Sequence, residues 1–123
     1  MNLSALRSEL ATALAPINAT VYPYPPKALP TPSVSVIPGS PYISPVNLGT
    51  DKYRAKFQVT AAVATMDNEA ALDNLETLIF GIYSNLPTGW VVSETTQPNL
   101  IDLGQSVVLT AEVNVEKITQ LGD

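Results

Sequence analysis

Lys52-Tyr-Arg-Ala-Lys-Phe-Gln-Val-Thr-Ala-Ala-Val-Ala-Thr65 runs directly into Met66-Asp-Asn-Glu-Ala-Ala-Leu-Asp-Asn-Leu-Glu-Thr-Leu-Ile-Phe-Gly-Ile-Tyr-Ser-Asn-Leu86. The first part alternates with the period of a half-buried strand: Tyr53, Ala55, Phe57, Val59, Ala61 and Val63 on one side, Lys52, Arg54, Lys56, Gln58 and Thr60 on the other. At Met66-Asp-Asn-Glu69 the period changes to that of a helix. Ala71, Leu72, Leu75, Leu78, Ile79, Ile82, Tyr83 and Leu86 then fall within an arc of roughly 140°, wide enough to lie on a sheet. A strand that feeds a helix folding back over it predicts an α+β domain.

Fourteen extended residues reach over ~40 Å, more than a domain of this size needs. The strand is therefore expected to bend or to project at one end as a hairpin arm. Its polar side opens with Lys52, Arg54 and Lys56, half of the six basic residues. Two readings of that side stand: a solvated, charge-protected face, or a basic patch that meets an acidic neighbour. On the helix, Asp67 or Asn68 is placed to cap the first turn, and Glu69 lies near the positive end of the helix dipole. Glu69, Asp73 and Glu76 form an acidic strip with Phe80 beside it, off the buried arc. An aromatic there is either shielded by a loop or a contact for another subunit. Gly81 costs roughly 1 kcal/mol against alanine in a helix interior, which a close backbone approach would explain.

Toward the N-terminus, Leu3, Leu6, Leu10, Ala13, Leu14 and Ile17 share a stripe that predicts a covering helix over 3–15, capped by Asn2 or Ser4 and stopped by Pro16. Eight of the eleven prolines then fall between Pro23 and Pro45. Thr20-Val-Tyr-Pro-Tyr24 and Ser33-Val-Ser-Val-Ile37 read as short strands, the second ended by Pro38-Gly39, with Tyr42-Ile43 a further short bridge. This Pro-rich segment is expected at the rim of the sheet, as a stiff loop holding an assembly contact or as a polyproline ligand. Toward the C-terminus, Asn85-Leu-Pro-Thr-Gly89 is a turn, Trp90-Val-Val-Ser-Glu94 a strand, and 98–104 another turn. Val107, Leu109, Ala111, Val113 and Val115 face inward on a last strand, and 117–123 reads as a loose polar tail. The fold expected is a single domain over 1–123: a mostly antiparallel sheet of four to five strands, covered on one face by helices 3–15 and 68–86.

With 123 residues, 46% of them hydrophobic, the chain can pack one core. No apolar run reaches the ~18 residues of a membrane helix. The first residues read as an N-terminus without a secretory signal, which leaves the sequon Asn18-Ala19-Thr20 without expected use. There is no cysteine and no histidine, so thiolate chemistry, the usual proton shuttle and the commonest metal ligands are absent. The net charge is −5, and of eleven acids only Glu9 precedes residue 51. Such a balance argues against gripping nucleic acid through its phosphates. No Walker loop, dinucleotide fingerprint or nucleophile elbow occurs. Asp67, Glu69 and Asp73 crowd one helical stretch without the ligand spacing of a calcium loop. The expectation is a protein that is not an enzyme and uses no cofactor or metal.

Several segments taken together carry a family likeness. An opening helix is followed by Val21-Tyr-Pro-Tyr-Pro-Pro26 and Pro32-Ser-Val-Ser-Val-Ile-Pro-Gly-Ser-Pro-Tyr42. After them come the basic alternating strand, Asp67-Asn-Glu-Ala-Ala-Leu-Asp-Asn-Leu75, Leu86-Pro-Thr-Gly-Trp90 and a closing strand after a glycine. Over nearly its whole length the chain resembles the tail terminators of long-tailed bacteriophages, small neck proteins that complete the tail. The resemblance implies a structural virion protein at the top of the tail, assembled in the host cytoplasm. Its copies would form a ring, a hexamer in that family, on the last tail-tube ring, end tube polymerisation and join the tail to the head connector, or stopper. Genome DNA would pass through the lumen unbound, and no membrane is involved. Lys52, Arg54, Lys56, Phe80, Tyr42, Pro38 and Gly39 are the interface candidates. Two alternatives stand beside this: another neck protein (a stopper or adaptor), or a monomeric peptide-binding module.

Overall fold

A computed structural model describes residues 3–17, 19–24, 31–46, 52–65, 68–102 and 107–120. Helix α1 (Leu3–Leu14) leads into strands β1 (Thr20–Tyr22), β2 (Ser33–Pro45) and β3 (Lys52–Ala64). Helix α2 (Asn68–Asn85) is followed by β4 (Trp90–Thr95), β5 (Asn99–Asp102) and β6 (Val107–Gln120). One sheet runs β1-β2-β3-β6-β4, with β5 on the same edge of β6 as β4 but further along it. Only β1 and β2 are parallel. The fold is thus α+β, with six strands rather than four or five.

β3 is central because both of its neighbours pair with it along its length. Its register with β6 is unbroken from Lys52↔Gln120 to Ala64↔Val108. Residues opposite each other in an antiparallel pair point to the same side. One face therefore collects Ala55, Phe57, Val59, Ala61 and Val63 with Ala111, Val113 and Val115, all buried. Both helices pack there: Leu6, Leu10, Leu14, Ala71, Leu75, Leu78 and Ile82 join the same core. Each such leucine or isoleucine contributes on the order of 1.5–3 kcal/mol by leaving water. Ala62 and Val108 are buried outside that core, on the other face.

Three expectations are corrected. β2 is one strand through Pro45, not two pieces, because a bulge between Pro38 and Ile43 absorbs the interruption and pairing resumes at Ile43↔Ala55. Residues 99–102, read as part of a turn, form β5, since β6 offers them an edge from Val107 to Thr110. Lys117, Ile118, Thr119 and Gln120, read as the start of a loose tail, continue β6 against Ala55, Arg54, Tyr53 and Lys52. The length of β3 is explained by the same pairing, for its Lys52 end is held between β2 and β6.

The buried stripe of α2 is narrower than the arc read from sequence. Ala71, Leu75, Leu78 and Ile82 are buried, Ile79 and Leu86 partly, and Leu72 and Tyr83 are exposed. The turn after α2 needs Gly89, whose φ of 95° lies where residues with a Cβ are strained. Gly81 does mark a close approach: a Cβ there would lie 3.3 Å from Ile17 Cγ1. The approach is by a side chain, not by backbone. Asn2, Asp67, Asn18 and segments 25–30, 47–51, 103–106 and 121–123 lie outside the described residues, as do the capping contacts and the part of the C-terminal tail read there.

Candidate interaction surfaces

The seven interface candidates fall in three places. Lys52, Arg54 and Lys56 alternate along β3 on the face away from the helices. β6 sets Gln120, Ile118 and Glu116 opposite them, and β4 adds Val91 opposite Glu116. Arg54 Nε lies 3.4 Å from Glu116 Oε2, an ion pair without hydrogen-bond alignment. Arg54 is therefore paired from within the sheet, and among the described residues Lys52 and Lys56 have no ion-pair partner. Two apolar side chains sit among them, Val91 at 55% exposure and Ile118 at 51%.

Pro38 and Gly39 stand at the bulge, Pro38 opposite Phe57 and thus on the helix side, Gly39 against Lys56. β1 pairs only with Ser33, Val34 and Ser35, so the outer edge of β2 beyond them has no partner among the described residues. Pro38, Pro41 and Pro45 along it remove donors and discourage strand addition. Gly39 has a local reason: a Cβ would come within 2.8 Å of the Lys56 carbonyl oxygen. Tyr42 points into the core. Its ring meets Phe57 edge-on at 5.6 Å, and its hydroxyl accepts a hydrogen bond from Arg7 at 3.4 Å. It tethers α1 to the sheet and offers little surface to a neighbour.

Phe80 lies on the far side of the other layer. At 100° per residue it is about 170° around α2 from the mean direction of the buried stripe, and it is 65% exposed. Tyr83 meets it edge-on at 6.5 Å and bonds through its hydroxyl to Thr95 of β4. Asp73 and Glu76 are exposed beside it, with Glu69 one turn further back. The structure does not bring Phe80 together with the β3 lysines. They mark two surfaces on opposite sides of the molecule.

Sequence reasoning missed Val91 and Ile118. Their signal was the alternation of β4 and β6, where each takes an outward position. Ile118 was lost because its segment was read as tail. An apolar groove of about 590 Å³ was missed too. It lies between Ile17, Pro32 and Val63 on one side and Ala70, Asn74, Thr77, Leu78 and Gly81 of α2 on the other. No acid, base or aromatic lines it among the described residues. It was invisible in sequence because its walls come from four separate segments.

A third polar cluster joins the layers. Glu9 of α1 accepts hydrogen bonds from Lys117 Nζ and Trp90 Nε1, each at 3.3 Å, and Lys117 lies over the Trp90 ring at 5.9 Å. These bonds pin α1 to β6 and β4. Among the described residues no group of three or more acids could hold a metal ion. No described helix is long and apolar enough to cross a membrane.

No family model matches the chain, and neither does any curated protein. One solved structure with a partial likeness is the type 4 fimbrial biogenesis protein PilO from Pseudomonas aeruginosa, 12% identical, with a TM-score of 0.36. The match covers 64% of this chain and 54% of that one, so the chain spans about half the length of the PilO structure. A likeness of that degree carries no argument about function.

Proposed function

We propose that this protein works by assembly, as a tail terminator: a ring of copies that caps the tail tube of a long-tailed bacteriophage and joins it to the head connector. The resemblance across nearly the whole chain supports the phage assignment. The observation that carries the assembly reading is the placement of Phe80, Val91 and Ile118. These large side chains are at least half exposed on opposite sides of a two-layer domain, each set among charged residues. Adjacent exposed apolar groups such as Val91 and Ile118, and the Phe80–Tyr83 ring pair, form apolar surface of the kind that partners cover. The eighteen-residue helix α2 favours a terminator over a stopper, which is expected to be largely β-barrel. A net charge of −5 suits a conduit that DNA slides through, since only neutralising contacts hold phosphates.

Phage particles assembled without the protein test this directly. Overlong or headless tails in electron micrographs are the expected result, and tails of normal length and attachment overturn the reading. A second reading, the monomeric peptide-binding module, has the apolar groove in its favour. The two separate on the mass of the protein at the tail-tube end, where a monomeric module leaves no multi-copy ring.

A further inference from the structure

The outer strip of α2 and the β3–β6 patch are complementary in charge and alike in having an apolar centre. We propose that they are the two halves of one head-to-tail contact, the α2 strip of one copy seated on the β3–β6 patch of the next. The proposal rests on the ring reading and says which surfaces meet.

Four observations favour a second copy as the occupant. Phe80 has exposed Asp73 and Glu76 on its N-terminal side along the same helix face, which repel phosphates and anionic lipid alike and favour a partner that sets cations beside an apolar centre. Ile118, opposite Arg54 and between Lys52 and Lys56 along β3, has that composition, and Val91 extends its apolar surface toward Glu116 and Glu94. The signs also agree: the Lys52 end of the patch carries three bases, Lys52, Arg54 and Lys56, with Glu116 and Glu94 toward its other end, and the strip carries three acids, Glu69, Asp73 and Glu76. Finally, α2 packs on one side of the sheet while the patch faces the other, so no copy can make this contact with itself. The α2 strip set against its own image by a two-fold axis would oppose like charges. A contact between the two different surfaces is heterologous, and it closes into a ring or runs on as a filament.

Charge exchange provides the test. Copies carrying Lys52→Glu and Lys56→Glu, and copies carrying Asp73→Lys and Glu76→Lys, should each associate more weakly by roughly 10-fold or more. Mixed together they should assemble again, in strict alternation and with an even number of copies. The chain has no cysteine, so Ser84→Cys beside Phe80 and Ser44→Cys opposite Arg54 can be joined by a short bismaleimide without background. Mixing the two single variants should give a crosslinked pair that neither gives alone. The double variant should give a ladder. A ladder ending at a fixed mass supports contact and ring together; one without an end supports the contact and overturns the ring. Wild-type assembly that is indifferent to charge exchange and gives no mixed crosslink overturns the contact and leaves the ring. Failure of the wild type to associate, both free and at tube ends, overturns both.

Discussion

On the face that carries the helices, Phe57, Val59, Val113 and Val115 lie fully buried beneath Leu10, Leu14, Leu75 and Ile82. One residue along the same strands, the opposite face presents Gln58, Thr60, Glu112 and Asn114. Gln58 donates to the Glu112 carboxylate, and the Glu112 amide donates to the Thr96 hydroxyl at 3.0 Å. Ser33 and Ser35, also on that side, are buried, and neither hydroxyl has a hydrogen-bond partner among the described residues. The helix face is closed by volume and the other by small and polar groups. Mutations should therefore cost most on the first and can even stabilise on the second.

The largest effect belongs to Phe57, which is fully buried at the centre of β3 and lies 5.6 Å from the Tyr42 ring and 5.8 Å from the Trp90 ring. Phe57→Ala opens a cavity under α1 and should lower unfolding stability in urea by about 3–5 kcal/mol. A loss below about 1 kcal/mol would mean that the helix layer is not what closes this face. Gly39→Ala comes next. Its Cβ meets the Lys56 carbonyl at 2.8 Å, and backbone of the central strand cannot step aside, so about 1–3 kcal/mol is expected. Gly81→Ala is the control. There the neighbour is the Ile17 side chain at 3.3 Å, and the gain in helix propensity of about 1 kcal/mol offsets the crowding.

Those same two faces divide what was legible in the sequence. The alternation from Tyr53 to Val63 and the helical spacing from Ala71 to Ile82 report apolar burial, and the α+β layering follows from them. The interruptions were misread because they are settled by partners rather than by local residues. Pro38-Gly39 ends a strand in isolation, yet β3 takes β2 up again at Ile43↔Ala55. Lys117 looks like a tail residue until Glu9, more than a hundred positions earlier, supplies its counter-ion at 3.3 Å. The candidate surfaces were half legible for a similar reason. Charge runs such as Lys52, Arg54 and Lys56 are visible in one segment, whereas Val91 and Ile118 join them only through the register of β4 and β6. Tyr42 carried no sign that its ring belongs to the core.

Ser35→Ala tests the other face with the sign reversed. The hydroxyl is withdrawn from water without a partner, so removing it relieves a desolvation cost and should raise stability by about 1 kcal/mol. A decrease of that size in urea unfolding would mean that a solvent molecule or ordered group satisfies Ser35 and that this face is held by more than small side chains.

The smallest effect on folding should come from Phe80, and the contrast with Phe57 gives it its meaning. Both are phenylalanines in regular elements, but one is fully buried and the other 65% exposed with the Tyr83 ring against its edge. Truncating a side chain that stays in water in the folded chain removes little that folding had gained, so Phe80→Ala should shift the stability of the isolated domain by no more than about 0.5 kcal/mol. The same substitution should weaken association between copies, because a central aromatic is the kind of residue on which such contacts depend. If folding and association fall together, Phe80 belongs to the core of its own chain. If neither moves, the outer strip of α2 is solvent-facing surface, and the head-to-tail contact loses the side chain at its centre.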